Sequence, residues 1–64
     1  MRFVEVKNRE GTRFRIQPEK IIQMVDMIQR DGVFTRICLE DGYEIEVPVD
    51  MDTVERILFN RERM

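Results

Sequence analysis

The sequence predicts a small α+β protein: two β-hairpins and one middle strand forming a bent antiparallel sheet or open barrel, closed by a C-terminal helix. Three observations carry this. A run of alternating residues, a polar turn ending in glycine and a second alternating run occur twice, around Gly11 and around Gly42. An apolar segment, Ile21 to Ile28, lies between them. A stretch of helical periodicity follows, opened by Asp50 and Asp52.

The first hairpin spans residues 2–17. Val4-Glu5-Val6-Lys7 and Arg13-Phe14-Arg15-Ile16 both alternate, as half-buried strands do. A loop of Arg9-Glu10-Gly11 sets Val6 opposite Phe14 and Val4 opposite Ile16. A slip of one residue would send every side chain to the wrong face. Glycine suits the last loop position because that position needs φ > 0. On the outer face Glu5 then meets Arg15, and Lys7 meets Arg13.

Residues 18–30 read as a turn followed by a strand, or as a helix. Pro18-Glu19-Lys20 opens like a first helical turn. Ile21, Ile22, Met24, Val25, Met27 and Ile28 fit a wide helical face and equally a strand apolar on both sides, and periodicity does not arbitrate. Asp31-Gly32 ends the segment either way.

The second hairpin spans residues 33–49. A two-residue loop would place Leu39 beside Glu44 and Ile37 beside Glu46. A three-residue loop, Glu40-Asp41-Gly42, instead pairs Leu39 with Tyr43, Ile37 with Ile45 and Thr35 with Val47. That register is expected, with Arg36, Cys38, Glu44 and Glu46 on the outer face and Phe34 there opposite Pro48. The closing helix is expected over residues 50–62. Met51, Val54, Ile57 and Leu58 supply its apolar face, Asp52-Thr53-Val54-Glu55 resembles a capping box, and Arg61 and Arg63 suit its C-terminal dipole.

In order, Phe14-Arg15-Ile16-Gln17-Pro18-Glu19-Lys20-Ile21-Ile22, an apolar strand, Val33 to Gly42, Tyr43 to Val47 and the helix around Val54-Glu55-Arg56-Ile57 resemble the small flagellar FlbD (SwrD) family. The likeness runs from Phe3 to about Leu58. It implies a strand over residues 22–29 and a motility-related role. The same order of elements is similar to the C-terminal half of LytTR-type DNA-binding domains.

Composition narrows the function. The 64 residues include no histidine and no serine, so a Ser-His or Cys-His nucleophile is excluded. The three glycines all sit in turns and form no phosphate loop. An enzyme is therefore not expected, nor a cofactor or metal; helix capping accounts for Asp50 and Asp52 without an ion. The lone Cys38 forms no intrachain disulfide, which suits the cytoplasm. Arg2, Glu5 and Lys7 interrupt any signal-peptide pattern, and no apolar stretch is long enough to insert in a membrane.

Charge is uneven. Residues 1–32 carry seven Lys/Arg against five Asp/Glu, a net of +2, and residues 33–64 carry four against eight, a net of −4. That asymmetry suits head-to-tail association, and it equally suits an ordinary mixed surface. Two functions are expected from these features. The first is a regulatory or accessory protein acting through protein contact, a homo-oligomer, with Met24, Met27 and Phe34 as its interface; a phage-type inhibitor of a host protein has the same profile. The second is a nucleic-acid-binding regulator using Lys7, Arg9, Arg13 and Arg15 on one hairpin face.

Overall fold

The structure, a computed structural model, describes residues 2–59. Its elements run β1 (Val4–Lys7), β2 (Arg13–Ile16), a single 3-10 turn (Pro18–Lys20), β3 (Ile21–Gln29), β4 (Gly32–Leu39), β5 (Glu44–Val47) and α1 (Met51–Leu58). The α+β arrangement of two hairpins, a middle strand and a closing helix is present. The strands are divided between two antiparallel sheets, β1-β2 and β3-β4-β5, and no barrel closes.

Both expected hairpin registers are observed. Val4 pairs with Ile16 and Val6 with Phe14; Ile37 pairs with Ile45 and Thr35 with Val47. Side-chain caps hold the two loops. Asn8 Oδ1 accepts from the Glu10 and Thr12 amides at 3.0 and 2.9 Å, and Asp41 Oδ1 accepts from the Tyr43 amide at 3.0 Å. These side chains mimic a backbone turn. Gly11 and Gly42 follow with φ of 89° and 92°, the conformation their loops require.

The middle segment is the turn and strand. Pro18 is buried at the start of the 3-10 turn, and β3 then runs antiparallel to β4. An irregularity at Ile21/Gln23 sets the extra residue, Ile22, into a bulge. β4 follows after the two residues Arg30-Asp31. Tertiary pairing overrides the helix propensity of Met, Gln and Lys here, because β4 offers a full ladder of partners.

One core joins the pieces. Val6 and Ile16 of the first hairpin, Ile37, Ile45 and Val47 of the larger sheet, and Val54 and Leu58 of α1 form a continuous buried cluster. The fully buried Thr35 hydroxyl donates to the Val49 carbonyl at 2.9 Å, so its polarity is satisfied. Helix capping differs from expectation. Asp50, not Asp52, is the N-cap, and its carboxylate accepts from the Thr53 amide at 3.0 Å. The described helix is Met51–Leu58 with Phe59 as its C-cap; the expected extension over residues 60–62, and Arg61 and Arg63, lie outside the described residues. Arg2 instead reaches the last turn, donating from Nη2 to the Leu58 carbonyl at 3.0 Å. That carbonyl is one of the groups a helix end leaves without an intrahelical partner.

Among the described residues, no helix is long and apolar enough to cross a membrane.

Candidate interaction surfaces

Three surfaces follow from this fold. The first is the outer face of β4 and β5. Even-numbered residues of these strands point away from the core, which places Phe34, Arg36, Cys38, Glu44 and Glu46 together. Arg36 lies between two carboxylates, with Nη2 3.3 Å from Glu46 and Nε 3.9 Å from Glu44. Arg9, at the tip of the first hairpin, also reaches Glu46, at 3.8 Å. Its guanidinium lies 4.9 Å from the centre of the Phe34 ring. The hairpin's apolar face packs on the inner side of the larger sheet, and Arg9 at its tip still contacts Glu46 and Phe34 on the outer side. The opposite charges of the two halves of the chain meet here within one molecule.

This geometry corrects the expectation for Phe34. It does stand on the outer face, but only 4% of it is exposed. Arg9 stacks over it, and it is not an open apolar surface. Pairing alone could not show this, since the residue that covers Phe34 comes from the other hairpin.

The second surface is the basic hairpin face. Lys7, Arg9, Arg13 and Arg15 are all exposed. They do not act as four free cations. Arg9 is committed to Glu46 and Phe34, and Arg13 Nη1 lies 3.9 Å from Glu5. That diagonal contact also relieves the like-charge pairing of Lys7 with Arg13. Lys7 and Arg15 form no ion pair among the described residues.

The third surface is the free side of β3. The larger sheet is ordered β3-β4-β5, so β3 is an edge strand, nine residues long. The direction of its backbone groups follows from one hydrogen bond. The Leu39 amide donates to the Tyr43 carbonyl at 2.8 Å, which turns Leu39 toward the β5 side. Backbone groups alternate along a strand in an antiparallel ladder. Cys38, Arg36, Phe34 and Gly32 therefore bond to β3, through Gln23, Val25, Met27 and Gln29, their register partners. Ile22, Met24, Asp26 and Ile28 then turn their N–H and C=O groups outward. The Glu40 amide, which donates to the Lys20 carbonyl at 2.9 Å, fits the same alternation.

The side chains along this edge are apolar. Met24 packs against the core, opposite Ile37. Met27 is half-buried on the outer face, opposite Phe34. Ile22 and Ile28 are 68% and 78% exposed, and sequence reasoning did not single them out. Their signal lay in the continuous apolar run: a strand apolar on both faces but paired on one side only leaves some of those groups uncovered.

Among the described residues no three or more His, Cys, Asp or Glu side chains come together to hold a metal. The Asp50 pKa is displaced downward, caused first by its hydrogen bonding with Thr53. That is a capping effect.

No family model, curated protein or solved structure matches this chain.

Proposed function

We propose that this chain is a non-enzymatic accessory or regulatory protein that acts through protein contact, with the free edge of β3 as its docking element. The observation that carries the reading is the edge itself. Four residues in alternation present backbone groups that have no strand partner among the described residues, and two of them, Ile22 and Ile28, hold exposed isoleucine side chains. Natural sheets blunt such edges with lysine, proline, bulges, inward-pointing charges or cover; between Ile21 and Gln29 there is no lysine or proline, and the blunting is limited to the bulge at Ile22 and the single charge, Asp26. A strand of this kind accepts an extended segment of another protein by β-augmentation. The backbone ladder supplies affinity and alternate side chains supply selectivity. The partner is therefore a protein presenting an extended segment with apolar residues at every second position. The resemblance to the FlbD (SwrD) family supports a motility-related setting, and the lack of histidine and serine supports a role without catalysis.

The test removes one outward amide. Asp26→Pro deletes an N–H that faces the free side, where proline is tolerated, and Asp26→Ala controls for the lost charge. The full chain and both variants, matched by circular dichroism, are used as baits against an extract of the source cells. A partner retained by the wild type and Asp26→Ala but at least about tenfold less by Asp26→Pro, a loss of ~1.4 kcal/mol, is the expected result. Retention that Asp26→Pro leaves unchanged overturns the reading.

A further inference from the structure

We infer that a second copy of this chain docks on β3, the two β3 strands pairing antiparallel about a two-fold axis through Val25. This rests on the β3 edge being the docking element, and it names the partner. The argument is one of register. A two-fold axis normal to the sheet keeps inner faces together only if residues pair with an even sum, because strand side chains alternate with period two. Centred on Val25, Ile22 stands opposite Ile28 of the second copy, twice, on the inner face. Val25 meets its own equivalent on the outer face, and Gln23 meets Met27. The two most exposed isoleucines of the strand thus cover each other. The outward residues Met24 and Asp26 meet each other twice, so their free N–H groups find C=O partners, and the bulged Ile22 meets Ile28 at either end of the ladder.

Neighbouring registers fail on named pairs. Centred on Asp26, the two carboxylates stand directly opposite and Ile22 faces Arg30. Centred on Met24, Ile22 faces Asp26 and Ile28 faces Lys20. Like charges and apolar–charged pairs disfavour both. In the Val25 register Asp26 faces Met24, and the two Asp26 side chains are only diagonal neighbours, roughly 7–8 Å apart. The result is a six-stranded antiparallel sheet with both helices on one face. A contact limited to one strand pair and its flanks belongs to the weak, exchanging class.

The experiment uses Val25→Cys and Met27→Cys in full chains carrying Cys38→Ala. Opposed residues of a non-hydrogen-bonded pair lie about 4.5 Å apart at Cα, within disulfide reach. Under mild oxidation Val25→Cys is expected to give at least about tenfold more disulfide dimer than Met27→Cys, an excess equal to ~1.4 kcal/mol in preference for the Val25 register. Sedimentation of the wild type from about 10 to about 500 µM, a range chosen for a weak contact, should show the mass rising toward a dimer. Asp26→Asn should shift that rise to lower concentration, and Asp26→Pro should abolish it. The pair Ile22→Lys and Ile28→Lys repeats the last arm without touching the backbone. A monomer throughout, with equal and slow crosslinking by both cysteine variants, overturns self-pairing. If Asp26→Pro still loses a captured partner in that case, edge docking stands and the second copy is excluded. If it loses none, both readings fail together. A dimer that survives Asp26→Pro and the double lysine variant also overturns the inference, because it uses another surface.

Discussion

The guanidinium of Arg9 lies 4.9 Å from the centre of the Phe34 ring, and that contact covers the ring on the outer face of the larger sheet. It converts an aromatic ring that pairing would leave in water into a buried one. It also consumes one of four hairpin cations. A basic patch and an apolar patch, each visible in the sequence as a possible binding feature, are thereby partly spent on each other.

Arg9→Ala should therefore destabilise the fold by about 1 kcal/mol, the scale of a partly exposed cation–π contact. Glu46→Gln should cost less, because the Arg9–Glu46 pair is 3.8 Å apart and both side chains remain substantially solvated. Urea unfolding of the two variants compares them directly. Equal losses would show that Glu46, which pairs with Arg36 at 3.3 Å as well as with Arg9, contributes as much as the contact of Arg9 with the ring.

Phe34→Glu should reduce folding stability by about 3 kcal/mol or more, as loss of a buried aromatic does. The readout is the urea midpoint at a fixed protein concentration. A midpoint within error of the wild type would mean that Phe34 is not covered in solution.

Thr35→Val keeps the shape of a fully buried side chain and deletes its hydroxyl. The Val49 carbonyl then loses its 2.9 Å donor. The expected cost is about 1–2 kcal/mol, the range for stranding a buried acceptor. An unchanged midpoint would place that carbonyl in contact with water.

Gly42 holds φ of 92° with nothing near the position a Cβ would occupy. Gly42→Ala should cost about 1–2 kcal/mol through backbone strain alone. A synthetic chain with D-alanine there should match the parent or exceed it slightly, since D-alanine favours that conformation and restricts the unfolded chain. Equal losses from both enantiomers would point to crowding instead.

Asp50 caps α1, and its hydrogen bonding with Thr53 holds its pKa below the ordinary 3.8. A carboxylate lowered in the folded state binds its proton more readily when unfolded. Its contribution is full above pH 3.8 and is lost as pH falls below that, through the lowered native value. Asp50→Asn, which caps without titrating, should flatten this acid limb of stability. Thermal melts from pH 5 to 2 on both proteins measure the difference; parallel curves would remove Asp50 as the cause.

Local features were legible because they are decided by neighbours in the chain. The parity of Val4, Val6, Phe14 and Ile16, and of Thr35, Ile37, Ile45 and Val47, admits one register per hairpin once glycine marks the last loop position. Asp50 and Asp52 before an apolar three-four spacing announce a helix start, and only the fold shows that Asp50 is the one that caps it. Residues 21–29 were ambiguous by the same logic, because a run apolar on both sides has no period to read.

The remaining features depend on what meets across the chain. β4 as a partner makes residues 21–29 a strand, and the lack of a described partner on their other side makes that strand an edge. Arg9 buries Phe34, and Arg2 serves the helix end at Leu58. Registers, turns and the helix face are set locally along the chain, since period and turn chemistry act over a few residues. Which side chains are covered and which edge is open is set by assembly, since burial depends on groups brought together from distant positions.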